Sequence, residues 1–69
     1  MDFLEAALTV LEEEGQPLHW TVIQDLALKR EYLDPFEQRD IRKNLLASLA
    51  RAAKDGAVAK EGTGIYRLP

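Results

Sequence analysis

The chain has no cysteine, and in 69 residues that absence leaves one hydrophobic core to hold the fold. Neither a disulfide framework nor a thiolate metal site is open to it. A chain this short buries only ~60% of the surface its unfolded form exposes, and one such core supplies ~3–5 kcal/mol of net stability. Every apolar stripe must therefore converge on the same core, which makes residues 1–69 a single domain. No deep, water-excluding cavity fits in so small a body, so neither catalysis nor a cofactor is expected. The lack of cysteine also favours a reducing compartment, the cytoplasm. No apolar run approaches the ~20 residues of a membrane span. Met1 leads into Asp2 and Glu5, unlike the basic start of a signal peptide.

Residues 2–14 read as a helix, because Phe3, Leu4, Ala7, Leu8, Val10 and Leu11 recur at helical spacing. Asp2 is its expected N-cap, with Glu5 at the capping-box position, and Gly15 its C-cap. Glu12, Glu13 and Glu14 fall at the end where the helix dipole disfavours anions. They read either as a solvated helix end or as a docking patch for a basic partner. Gln16 to Trp20 contains Pro17 and reads as a short extended segment, an edge strand or the start of one. Thr21 is the expected cap of a second helix that buries Val22, Ile23, Leu26 and Ala27 and ends near Arg30, with Tyr32 and Leu33 folding back onto the core.

Asp34-Pro35 carries the signature of a third helix start, Asp34 as N-cap, Pro35 in the first position and Glu37 completing the box. The spacing predicts an unbroken helix from there to about Lys54, ended by Gly56, with Ile41, Leu45, Ser48, Leu49 and Ala52 on one side. Arg39, Lys43 and Lys54 share another side, flanked by Arg42 and Arg51. Residues 57–60 and 65–68 are strand candidates joined by Glu61-Gly62-Thr63-Gly64, a hairpin turn by its glycines. A lone hairpin is marginal in water, so the 18–20 segment is expected as its third strand. The elements run helix, strand, helix, helix, strand, strand. This is an α+β, mostly α arrangement, a winged helix-turn-helix of three helices and a small three-stranded antiparallel sheet.

These residues resemble the HARE-HTH family of winged-helix domains. The likeness rests on Phe3, Leu8, Leu11 and Glu12, on Gly15-Gln16-Pro17-Leu18-His19-Trp20 with Ile23, Ala27 and Leu28, and on Gly62-Thr63-Gly64-Ile65-Tyr66-Arg67-Leu68. Such domains occur in restriction endonucleases, in chromatin-associated proteins and at the N-terminus of the bacterial RNA polymerase delta subunit. The chain departs from the family pattern at Asp34-Pro35-Phe36-Glu37, where a Thr-Pro-rich stretch is usual, and in a longer, alanine-richer third helix. The resemblance implies DNA binding, or a protein-interaction role within DNA-handling machinery, without catalysis.

Charge distribution sharpens the choice. Residues 1–38 carry nine acids against Lys29 and Arg30, a balance of −7, while residues 39–69 carry seven bases against Asp40, Asp55 and Glu61, a balance of +4; together they give the net −3. Double-stranded DNA, as a ligand, would have to meet the basic half. Arg39, Arg42, Lys43, Arg51 and Lys54 on the third helix, with Lys60 and Arg67 on the wing, are the expected DNA contacts. Asn44 is placed to read an adenine. The alternative is that the charges only solvate a helix face, and that the acidic half docks on RNA polymerase or another DNA-handling protein. His19, the only histidine, is assigned a structural role beside the second helix N-terminus, and Trp20 that of a core or interface anchor. Leu28, Tyr32, Leu33 and Phe36 form a candidate homodimer surface.

Overall fold

The computed structural model describes residues 1–69. Its elements are α1 (Phe3–Glu14), β1 (Leu18–His19), α2 (Trp20–Lys29), α3 (Ile41–Asp55), β2 (Ala59–Gly62) and β3 (Ile65–Arg67). The three strands form one antiparallel sheet in the order β1-β3-β2, with Leu18 opposite Tyr66 and His19 opposite Ile65. This is the winged helix-turn-helix arrangement. Thirteen of the 69 residues are buried, and every one is hydrophobic, among them Leu11, Ile23, Leu33, Leu45 and Leu49. No polar or charged residue is buried as a whole, and the one buried side-chain oxygen without a partner is Gln24 Oε1. No helix is long and apolar enough to cross a membrane.

The ends of α1 follow the sequence. Asp2 accepts from the Glu5 amide at 2.7 Å, and Gly15 takes the left-handed conformation as C-cap. The start of α2 lies two residues earlier than expected. His19, not Thr21, is the N-cap; its Nδ1 accepts from the Thr21 amide and lies 2.8 Å from the Thr21 hydroxyl. The histidine is thus structural and also closes β1.

The third helix is the main correction. Residues 34–38 make one capped turn and stop, and α3 begins only at Ile41. Asp34 does cap, its Oδ1 accepting from the Phe36 amide and its carbonyl from the Gln38 amide. Propagation fails because side chains take over the backbone groups that a helix would use. The Gln38 amide side chain accepts from Asp34 N–H and donates to the Met1 carbonyl. The Arg39 carbonyl accepts from Asn44 Nδ2 at 2.7 Å, and Asp40 is left-handed, with φ 49°. Residues 35–40 offer only Phe36 as an apolar residue, so no buried stripe favours helix over these local bonds.

Glutamates 13 and 14 are neither merely solvated nor open for docking. Arg30 pairs with Glu13 at 2.9 Å through one nitrogen and with Glu14 at 2.7 Å through the other. The Tyr32 hydroxyl donates to the second Glu13 oxygen. One guanidinium therefore offsets the anions at the α1 C-terminus and ties it to the end of α2. Of the four residues expected on a homodimer surface, Leu33 is fully buried, Leu28 and Tyr32 pack against the core, and only Phe36 stands out.

Gly64 joins wing to helices. Its carbonyl accepts from the Trp20 amide at 2.9 Å, its φ is +73°, and a Cβ there would lie 2.8 Å from His19 Nε2 and 3.1 Å from Trp20 Cδ1. Gly64→Ala is expected to cost about 1–3 kcal/mol, whereas Gly62→Ala, whose Cβ meets only Ile65 at 3.6 Å, should cost much less. Urea unfolding of the two variants makes the comparison.

The Tyr32 hydroxyl is held above the ordinary phenol pKa, first by its hydrogen bond to Glu13 and then by desolvation and the Glu13 charge. A raised folded-state value contributes stability that is complete below the unfolded phenol pKa, about 10, and is lost as pH rises through the folded value. In Glu13→Gln the Tyr32 ring signals, followed by NMR, should titrate at lower pH than in the wild type.

Candidate nucleic-acid interface

Helix α3 buries Leu45, Leu49 and Ala52 against the rest of the core and packs on α1. Its opposite side therefore faces away from α1. Lys43, Ala47, Ala50 and Lys54 are all exposed and follow one another at four, three and four residues, which is one ridge of a helix. Two methyl groups keep the middle of that ridge low between a lysine at each end. Arg42 and Arg51 are exposed on its two flanks.

The late start of α3 changes the roles of the residues at its N-terminal end. Arg42 and Lys43 occupy the first turn and, with Asp40, rim an open depression of about 600 Å3 that also takes in Ile41 and Leu46. Arg39 is off the helix, exposed in the loop before it. Asn44 is half-buried, and its amide bond to the Arg39 carbonyl pins the loop to the helix. That places Asn44 away from the ridge as an anchor for Arg39.

Ion pairing separates the bases further. Arg51 lies 4.0 Å from Asp55, and Arg67 lies 3.8 Å from Glu61. Arg67 also borders a depression shared with Glu12, Gln16 and Pro17, close to the end of α1. Arg39, Arg42, Lys43, Lys54 and Lys60 have no acidic partner within 4.0 Å. The basic positions foreseen from sequence thus divide into a group around α3 whose charge is uncompensated, with Lys60 on β2, and two arginines that are already paired.

Sequence reasoning missed one participant. The Arg42 guanidinium carbon lies 5.8 Å from the centroid of the Trp20 ring, within range of a cation–π contact. Trp20 also packs against the core and meets Gly64 of the wing turn. It serves as the expected anchor and, in addition, as a support for a basic side chain. The contact links residues 22 positions apart, and no local spacing marks it.

Comparison with known proteins agrees with this architecture. The HARE-HTH family, whose description names ASXL and restriction endonuclease HTH domains, matches residues 1–68. No curated protein and no solved structure matches the chain. Both segments that carry the likeness, Gly15 to Trp20 and Gly62 to Leu68, meet where β1 pairs with β3 and Gly64 seats on Trp20. The chain belongs to the HARE-HTH family, helix-turn-helix domains that generally bind DNA.

Proposed function

We propose that this domain binds double-stranded DNA without catalysing a reaction, as a recognition module in transcription or DNA processing in the cytoplasm, at the nucleoid. The observation that carries the reading is the α3 ridge: exposed Lys43 and Lys54 around Ala47 and Ala50, with unpaired Arg42 and Arg39 at its N-terminal end. A low ridge of alanines lets a helix sit close to base edges in the major groove, and alanine methyls suit thymine methyls. The flanking cations meet phosphates. Arg42, propped by Trp20, is the side chain best prepared to make a directed contact. Arg39, Lys60 and Arg51 supply backbone contacts at the rim, and Asn44 acts through Arg39. Arg67 contributes least, because Glu61 already meets its charge.

The acidic half does not forbid this. Helix α1 lies on the core side of α3, and the domain is 17 Å across its narrowest dimension. The Debye length at physiological ionic strength is about 8 Å, so the α1 acids across the core are largely screened from DNA on the ridge, and of the acidic half only the Asp34–Glu37 turn lies near the start of α3.

Fluorescence anisotropy with duplex DNA tests the assignment. Affinity should fall with salt, with a log–log slope of about −0.9 for each phosphate contact. Lys43→Ala should reduce that slope by about one, and Arg67→Ala should leave it nearly unchanged. Binding indifferent to reversal of both Arg42 and Lys43 would sink the assigned face.

Trp20→Leu should weaken binding about threefold by releasing Arg42, and should have almost no further effect once Arg42 is alanine. Trp20→Phe, which keeps a ring, should fall between. Thermal melts of the same variants separate this from loss of folding.

A second reading is docking on RNA polymerase or another DNA-handling protein without direct DNA contact. It is supported by the exposed, unpaired acids Glu5, Glu12, Asp25, Glu31 and Glu37. A partner recovered after nuclease treatment, from a domain that binds no duplex at low salt, would favour it.

A further inference from the structure

Phe36 is 97% exposed, yet it does not sit on a loose loop. Its amide donates to Asp34 Oδ1, the Gln38 amide to the Asp34 carbonyl, and Gln38 ties the turn to Met1. The Met1 amino group in turn donates to the Tyr32 carbonyl. The ring is thus held in water on an ordered turn, where any apolar surface that covers it gains free energy without the cost of ordering the turn.

We propose that the covering surface is a second copy of this chain, in which Phe36 enters the depression beside Ile41 and Leu46 at the start of α3. Charge selects that socket. Phe36 is flanked by Asp34, Glu37 and, across the turn, Glu31, while the socket is rimmed by Arg42 and Lys43, whose charges are unpaired, with Asp40 the one acid there. The other depression near the turn, about 310 Å3, is lined in part by Phe36 itself and bordered by Glu31 and Asp34, so it would repel the acids that flank an incoming Phe36. Knob and socket lie at the same end of the domain, because the Phe36 turn leads directly into Ile41. A two-fold arrangement therefore seats both knobs at once. Two phenylalanines at ~150–250 Å2 each, with the surfaces they cover, stay below the ~1,200 Å2 of a standard stable interface. The dimer is therefore of the weak, transient class. It covers Arg42 and Lys43, so self-association and DNA compete for them. The pairing stands apart from the DNA reading; only this masking rests on it.

Sedimentation equilibrium of the full chain without DNA, up to about 1 mM at low salt, tests the pairing. A reversible monomer–dimer equilibrium weakened by salt is expected. Phe36→Ser, at a site too exposed to disturb the core, should weaken association at least tenfold. Glu37→Lys should weaken it, and Glu37→Lys with Lys43→Glu should restore it. A wild type that stays monomeric, or a dimer unchanged by Phe36→Ser, overturns the pairing, and a dimer unchanged by Lys43→Glu overturns the socket. Adding duplex DNA should dissociate the dimer. If duplex binds the monomer and the dimer alike, the masking is wrong while the DNA reading stands; if no duplex binds, the DNA reading and the masking fail together and the pairing is judged by sedimentation alone.

Discussion

The fold depends on the seating of Gly64 against the His19-Trp20 step. The carbonyl of Gly64 accepts the Trp20 amide, and Leu18 and His19 pair with Tyr66 and Ile65. This contact joins residues more than forty positions apart and gives a marginal hairpin its third strand. It also brings Leu18 and Tyr66 onto the common core with α1, α2 and α3. His19 acts twice, pairing in the strand and capping the helix that follows. The same step holds Trp20 where Arg42 can stack on it. One backbone approach, permitted only by a residue without a side chain, thus connects wing, helix and the basic end of α3.

What the sequence conveys about this fold is mostly what adjacent residues decide among themselves. Asp2, Gly15 and Gly56 cap their helices as their chemistry demands. The buried stripe of Leu45, Leu49 and Ala52 follows from helical spacing alone. The Asp34-Pro35 signal was legible too, and it does produce a turn. Whether a turn grows into a helix depends on partners farther off, here Met1 for Gln38, and on a side-chain bond from Asn44 to Arg39. Those partners have no signature in residues 34–40. The site was legible to a similar depth. Its charges stand in the sequence, and so does the i,i+4 spacing of Arg51 and Asp55, but the Arg67–Glu61 pair depends on how the hairpin closes. Asn44, a base reader by type and spacing, turns out to be engaged with its own backbone neighbourhood.

Pairing also gives the −7 and +4 halves their meaning. Arg30 lies in the acidic half and closes on two acids at the α1 C-terminus, where they would otherwise oppose the helix dipole. Its role is internal. In the basic half, Arg51 and Arg67 have acidic neighbours that weaken their outward charge. What is left uncompensated is Arg39, Arg42, Lys43 and Lys54 around α3, and Lys60 on β2. Five unpaired cations, four of them around one helix, repel each other, and of the five only Arg42 has a compensating contact, with the Trp20 ring. Under the proposed DNA reading, a ligand that supplies negative charge offsets that repulsion, and the low alanine ridge between Lys43 and Lys54 suits a nucleic-acid groove.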